Sequence, residues 1–329
     1  MAFSEADIPD LTGKIAIVTA KGGNSGIGKQ TVAVLAAKGA KVYLGARSHD
    51  KYIEAVADIH ASYPSTKASH IEFLEIDLAS AAGAKSSAKR FKSKEKHLHL
   101  LYNNAGVMGT PQGMLSSDGY EYARVPYTQP HSEPAANMSI LKQWAVNVFG
   151  TFVFTYHLLP VILSTVEISP PGSVRIVNTS SDGARQAPKS GIPLDDKTVG
   201  SSAGRFERYG ISKIGVILLT RQFAQRYPAV LSFAPHPGPV QSNLTRELGI
   251  PWPIMWILNR VVFKPVQYGA LTQLFAGTAS QLGEKHNGSY LVPPAKLETR
   301  LPHLQCYNDD VGAKVWEWNV AAMKAAGAD

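Results

Sequence analysis

The chain has 329 residues, of which 44% are hydrophobic, so one large α/β domain can bury a full core; no Pro/Gly/Ser-rich linker divides it, and it reads as a single domain over residues 1–329. The single cysteine, Cys306, excludes an internal disulfide, and the start Met1-Ala2-Phe3-Ser4-Glu5-Ala6-Asp7 lacks the basic and apolar regions of a signal peptide, so a reducing, cytoplasmic setting is expected. The net charge of +8 raises a nucleic-acid partner, but its focus, Lys85 through Lys96, fits a solvated helix face over an inner stripe of Ala88 and Phe91, without aromatic interleaving or zinc spacing; no nucleic acid and no metal site are expected.

In chain order, Lys14-Ile15-Ala16-Ile17-Val18 reads as a buried strand that runs into Gly22-Gly23-Asn24-Ser25-Gly26-Ile27-Gly28 and an apolar-periodic helix from Gln30 to Lys38. Strand, glycine turn and helix form a phosphate site: glycines let the backbone approach, and the helix N-terminus offers unpaired N–H groups and a positive dipole end. The second strand, 41–46, ends in Ala46-Arg47-Ser48, where an acidic residue would accept hydrogen bonds from an NAD ribose. Arg47 can instead pair with a 2′-phosphate and Ser48 add a hydrogen bond, which favours NADP(H) over NAD(H); Arg47 as a plain surface residue is the alternative.

Further strands are expected near 71–76, 98–103, 173–179, 231–235 and 288–292, separated by helical patterns. Such alternation predicts an α/β fold with a doubly wound parallel sheet, in which ligands bind beyond the C-terminal strand ends. The strand at 98–103 leads into Asn103-Asn104-Ala105-Gly106, and Ser180-Ser181 closes that at 173–179. Tyr209-x-x-x-Lys213 puts a phenol and an ammonium one turn apart on a helix face, an arrangement for a phenol used as acid or base, with the cation favouring the phenolate. The stretch 122–142 carries Pro126, Pro130 and Pro134 without periodicity and reads as an inserted loop. No apolar run of about 20 residues is apparent, the longest candidate being Ile250 to Phe263, which Pro251, Pro253, Asn259 and Arg260 interrupt.

Taken in order, Gly22-x-x-x-Gly26-x-Gly28, Asn103-Asn104-Ala105-Gly106, Asn147, Ser181, Tyr209-x-x-x-Lys213 and Pro237-Gly238 resemble the short-chain dehydrogenase/reductase superfamily, over roughly residues 11–293. Val174 to Ser181 and His236-Pro237-Gly238-Pro239-Val240 look most like its retinol-dehydrogenase-like branch. The resemblance implies a Rossmann-type NAD(P)-dependent oxidoreductase that moves a hydride between nicotinamide and a carbonyl or alcohol carbon. Tyr209 then serves as general acid/base, Lys213 lowers its pKa and binds the nicotinamide ribose, Ser181 fixes the substrate oxygen, and Asn147 holds a water linking Lys213 to solvent. Cofactor contacts are implied at Gly22, Asn24, Ser25, Gly26, Ile27 and Gly28 for the pyrophosphate, at Arg47 and Ser48, and at Asp77 and Leu78 near the adenine. A helix N-cap role is the alternative for Asp77. Asn104, Ala105, Gly106, Tyr209, Lys213, Pro237, Gly238, Val240 and Ser242 complete the set, the last two for the carboxamide, although Thr is commoner than Ser at 242.

Residues 245–270 match the family's substrate lid, and Trp252, Met255, Trp256 and the aliphatics around them suit an apolar small-molecule carbonyl or alcohol; a core helix, a dimer face or a peripheral membrane contact would leave the same pattern. The helix carrying Asn147 is one that relatives use for dimerisation, so a homodimer stays open. Two departures bear on function. Ala20-Lys21 adds two residues ahead of Gly22, and 122–142 intervenes before the Asn147 helix; both insertions are read either as translated intron remnants or, for the second, as a loop over the active site. A catalytically impaired nucleotide-binding scaffold or sensor is the alternative function. A nucleotide-sugar epimerase would call for a larger C-terminal domain than the stretch after Val240 provides.

Overall fold

The computed structural model describes residues 3–20, 26–67, 70–110, 142–193, 203–241, 256 and 260–329. Among these residues eight strands form one sheet in the order β3-β2-β1-β4-β5-β6-β7-β8. They are β1 (Ile15–Thr19), β2 (Lys41–Ala46), β3 (Ile71–Glu75), β4 (Leu100–Asn103), β5 (Arg175–Asn178), β6 (Leu231–Pro235), β7 (Tyr290–Val292) and β8 (Lys296–Glu298). The first seven run parallel and coincide with the seven expected strands; β8 pairs antiparallel with β7 and was not expected.

Helices cover both faces, as a parallel sheet requires. Successive strand residues alternate between two cores: Ile17 and Ile176 face α3 (Ala81–Lys94), α4 (Thr151–Glu167), α5 (Arg205–Arg226) and α7 (Asp309–Ala325), whereas Ala16, Val18 and Val177 face α1 (Gly26–Ala37), α2 (His49–Ser62) and α6 (Val266–Thr278). Strand order reverses between β1 and β4, so their C-terminal ends frame the crevice where such sheets take ligands. The basic run lies on α3, which buries Ala84, Ala88 and Phe91 and turns Lys89, Arg90, Lys92 and Lys94 to solvent.

Three sequence readings change. Helix α1 starts at Gly26, four residues ahead of the apolar-periodic segment. The longest apolar stretch is Ala145–Glu167, not 250–263; it has the length and composition to cross a membrane, but two thirds of it is buried in this fold, as a core helix would be. The third concerns the ends of the irregular spans: Lys142–Trp144 is already helical, and 266–270 open α6, while the rest of 122–142 and most of 245–265 lie outside the described residues.

The chain enters α4 through a π-helical turn, Ala145–Gly150, which carries Asn147 toward the crevice. Gly150 makes this passage possible, since a Cβ there would clash with the Leu78 carbonyl oxygen and lie 3.1 Å from that of Ala145. Gly150→Ala should destabilise the fold by at least about 2 kcal/mol in urea unfolding, because both contacting groups are backbone and cannot swing aside. A cost below about 0.5 kcal/mol would show that the turn relaxes.

Candidate active site

Tyr209 and Lys213 lie in the first half of α5, both buried, with the Lys213 Nζ 5.5 Å from the centre of the Tyr209 ring. The helical spacing therefore delivers the juxtaposition the sequence suggested. Lys213 Nζ donates to the Thr179 carbonyl oxygen at 2.8 Å, which ties α5 to the end of β5. Ser181, two residues on, accepts from the Gly183 N–H at 3.0 Å and hydrogen-bonds the Tyr209 phenol.

Burial governs both titrations. It pushes the Tyr209 phenol up to about 12, with the Ser181 hydrogen bond pulling the other way, and pushes the Lys213 ammonium down to about 8. Lys213 was expected to bring the phenol down; the shift is instead upward, because burial strips the charged form of its water.

Asn147 braces the crevice. Its Oδ1 accepts from the Val107 N–H at 2.8 Å, and its Nδ2 donates to the Val107 carbonyl at 3.0 Å and to the Ser212 hydroxyl at 3.1 Å. Both amide hydrogens are used, leaving one lone pair of Oδ1 for a water. A second polar layer lies beneath: Asn103 Nδ2 donates to Thr155 Oγ1 at 2.9 Å and to Asn178 Oδ1 at 2.8 Å, and Asn178 Nδ2 to Thr220 Oγ1 at 3.1 Å. Asn103 Oδ1 is buried without a partner among the described residues, and it borders a cavity of about 20 Å³ that also touches Lys213 and Asn147. That is room for one water, with polar groups to hold it.

On the nucleotide side, Thr19 Oγ1 at the end of β1 accepts from the N–H groups of Asn104 (3.0 Å) and Ala105 (2.9 Å), and Asn104 Nδ2 donates back to the Thr19 carbonyl at 3.0 Å. These bonds lock the two strand ends that frame the crevice. A Cβ on Gly28 would meet Asn104 Nδ2 at 2.6 Å, so α1 reaches this lock only with glycine there. Ile27, beside it, packs on the core under α1. Gly106 stands so close that a Cβ would lie 3.1 Å from Asn147 Oδ1.

Arg47 is exposed at the end of β2, and Ser48 caps α2 by accepting from the Lys51 N–H at 3.4 Å. Asp77 accepts from the Ala79 N–H at 3.0 Å, and the N-cap of α3 falls three residues on, at Ser80. Leu78 is buried against the π turn. Pro237 and Gly238 follow β6, and Val240 is buried, its segment fastened by Gln241 N–H to the Lys264 carbonyl at 2.9 Å. Lys21, Gly22, Gly23, Asn24, Ser25 and Ser242 lie outside the described residues. The close approach at Gly28, the unhindered Arg47 and the buried Tyr–Lys pair fit a dinucleotide laid across the strand ends.

Sequence reading gave no role to His236 or Arg175. His236 stands between β6 and Pro237, and its position directly before Pro-Gly at a strand end was the available signal. Arg175, 6% exposed inside β5, donates to the carbonyls of Gly172, Ala276, Ala279 and Leu282. It was hidden by the apolar run around it.

The depressed Lys213 value has a thermodynamic consequence. Its folded pKa, about 8, lies below the ordinary 10.5, so the unfolded chain holds the extra proton between these values. The burial cost is full below pH 8 and fades as pH rises to 10.5. Relative to Lys213→Met, the wild type should therefore gain stability from pH 7 to pH 10, by about 3 kcal/mol at most. A gap that stays constant over this window, measured by urea unfolding, would mean that the ammonium is not desolvated.

The short chain dehydrogenase family profile matches residues 14–193. A short-chain dehydrogenase/reductase of Armillaria gallica is 37% identical over 318 residues, covering 96% of this chain and 92% of its own. Among solved structures, a putative uncharacterized protein from Mycobacterium paratuberculosis has a TM-score of 0.68 at 22% identity, with 98% of both chains covered. The RhlG/NADP active-site complex of Pseudomonas aeruginosa has a TM-score of 0.60 at 22% identity, covering 87% of this chain and 96% of that one. With the profile across more than half of its length and a relative matched nearly end to end, the chain belongs to the short-chain dehydrogenase/reductase family of NAD(P)-dependent oxidoreductases.

Proposed function

We propose that the protein is an NADP(H)-preferring dehydrogenase/reductase for an apolar carbonyl or alcohol, with Tyr209 as its general acid/base. The observation that carries this reading is the buried Tyr209–Lys213 pair with Ser181 hydrogen-bonded to the phenol. Gly26, Ile27 and Gly28 would support the pyrophosphate, Arg47 the 2′-phosphate, Asp77 and Leu78 the adenine side, Asn104 to Gly106 the adjoining ribose, and Val240 the carboxamide. When bound, the nicotinamide supplies the hydride in reduction and accepts it in oxidation.

The chain's own residues then handle position and proton. Ser181 and Tyr209 converge on one point, so both hydroxyls can hold a carbonyl oxygen there. With its pKa near 12 the phenol keeps its proton at neutral pH, loaded as an acid. As negative charge develops on the substrate oxygen, the phenol passes its proton across. The phenolate left behind is stabilised by the Ser181 hydrogen bond and by the Lys213 ammonium. Oxidation reverses these transfers.

The phrase His236-Pro237-Gly238 supports a retinol-dehydrogenase-like placement, and the lone, buried Cys306 supports a reducing, cytoplasmic setting. Val261 and Val262, both exposed, continue the apolar character of the expected lid span and support an apolar substrate.

Tyr209→Phe should lower kcat for carbonyl reduction by 10²- to 10⁴-fold, the usual contribution of a positioned acid, while NADPH binding followed by nicotinamide fluorescence stays within about twofold. Retention of more than a tenth of wild-type kcat would remove the phenol from the proton step. For the cofactor, NADPH should bind at least about tenfold tighter than NADH, and Arg47→Asp should abolish or invert that preference. Equal affinities in the wild type would sink the NADP(H) assignment.

A further inference from the structure

His236 is held in place more tightly than its exposure suggests. Its backbone N–H donates to the Leu291 carbonyl at 2.7 Å, and the preceding Pro235 carbonyl accepts from Ser180 N–H at 2.8 Å, so both neighbouring strands fix its Cα. The imidazole Nδ1 accepts from the Gly238 N–H at 3.3 Å. A nitrogen that accepts a backbone N–H carries no proton of its own, so the neutral ring holds its hydrogen on Nε2.

The ring is neutral at working pH. Burial pushes it down to about 4, with Arg185 and Lys213 adding to that effect and Asp182 opposing it. The sheet locates it: the Pro235 carbonyl is bonded by the Ser180 N–H, so His236 leaves β6 alongside Ser180 and Ser181 leaving β5, with Asp182 and Arg185, which pair with each other at 2.7 Å, next in that chain. His236 thus stands beside the point on which Ser181 and Tyr209 converge. Its backbone bonds would serve any residue, and a shorter polar side chain could meet the Gly238 N–H. Only the Nε2–H is unaccounted for, with no partner among the described residues, on a half-buried ring.

We infer that His236 is a specificity residue of this site, whose Nε2–H donates to a second oxygen on the substrate, one or two carbons from the reacting carbonyl. The inference rests on the carbonyl-reductase reading above. It narrows the substrate from an apolar ketone or aldehyde to one that carries a vicinal or β-oxygen acceptor. A neutral donor suits a carbonyl, ether or hydroxyl oxygen, whereas a carboxylate would be better served by a cation. Donating to such an oxygen leaves the proton on His236, so no second proton transfer is introduced.

The test compares 1-phenyl-1,2-propanedione with propiophenone, both reduced with NADPH by wild type, His236→Leu and His236→Gln. The dione is the more electrophilic ketone, but that advantage cancels in the variant-to-wild-type ratios. His236→Leu should lower kcat/KM for the dione about tenfold more than for the monoketone, mainly through KM, as expected for one lost hydrogen bond. His236→Gln should restore most of the difference, since its amide offers both an acceptor and a donor. Equal losses for both ketones, or no recovery with Gln, would overturn the assignment. A rise in the NADPH dissociation constant with unchanged discrimination would assign the donor to the cofactor and overturn it as well. A readout independent of turnover is the ¹⁵N spectrum of histidine-labelled protein, with His236 identified by its loss in His236→Gln. It should show the Nε2–H tautomer, and the resonance should move when the dione is added to the NADP⁺ complex. If neither ketone is reduced, the reductase reading fails for these substrates, while an Nε2 resonance that ignores the dione would separately sink the role of His236.

Discussion

A lysine with its ammonium out of water is the constraint around which the site is arranged. Lys213 sits inside the fold with no ion pair among the described residues, so its charge is countered there by dipoles rather than by an ion. The Thr179 carbonyl supplies the nearest one. Around it lie Asn147, fixed by Val107 and Ser212, and the Asn103–Thr155–Asn178–Thr220 seam, fixed by four different elements. Such a network holds Lys213 in a single geometry, at the cost of a depressed pKa. The same dryness raises the Tyr209 phenol, so one physical cause drives the two titrations apart: an ammonium that releases its proton more easily beside a phenol that holds its own more firmly.

That arrangement explains why so many small residues crowd the strand ends. Gly28 lets α1 come against Asn104, Gly106 leaves room for Asn147, and Gly150 lets the π turn pass the Leu78 carbonyl. Each brings backbone where a side chain would otherwise stand. The crevice at the strand-order reversal is thus formed by main chain on the nucleotide side and by buried side chains on the chemical side, with Thr19 Oγ1 as the hinge-pin between them.

Much of this was legible in the sequence, for identifiable reasons. Strands buried on both faces show as short, largely apolar runs, so Ile15–Thr19 and Leu231–Pro235 stood out, and a spacing of four on a helix stacks Tyr209 on Lys213. What escaped has equally physical causes. β8 is three residues long, too short for alternation to register. Arg175 is a cation inside a strand, neutralised by carbonyls contributed from α6 and beyond, partners about a hundred residues away that no local window contains. The direction of the Tyr209 shift was misjudged because the sequence gives the neighbour's charge but not the depth of burial, and depth decides the outcome.

Helix α7 shows the same limit at larger scale, and it bears on assembly. Trp316 packs edge-on against Phe152 of α4 and Phe223 of α5, with ring centres 4.9 and 5.0 Å apart, and the Arg226 guanidinium lies 4.7 Å from its ring. Trp318 meets Trp144 and Phe149 in the same manner at 5.9 and 6.0 Å. The helix carrying Asn147 therefore buries aromatic surface against the chain's own C-terminal helix. A homodimer formed through that part of α4 would have to displace α7 and expose two tryptophans, a loss of several kcal/mol that any new interface must first recover. Self-coverage of this face ties the C-terminal helix to the helices that hold Asn147, Tyr209 and Lys213, so its packing supports the site from behind.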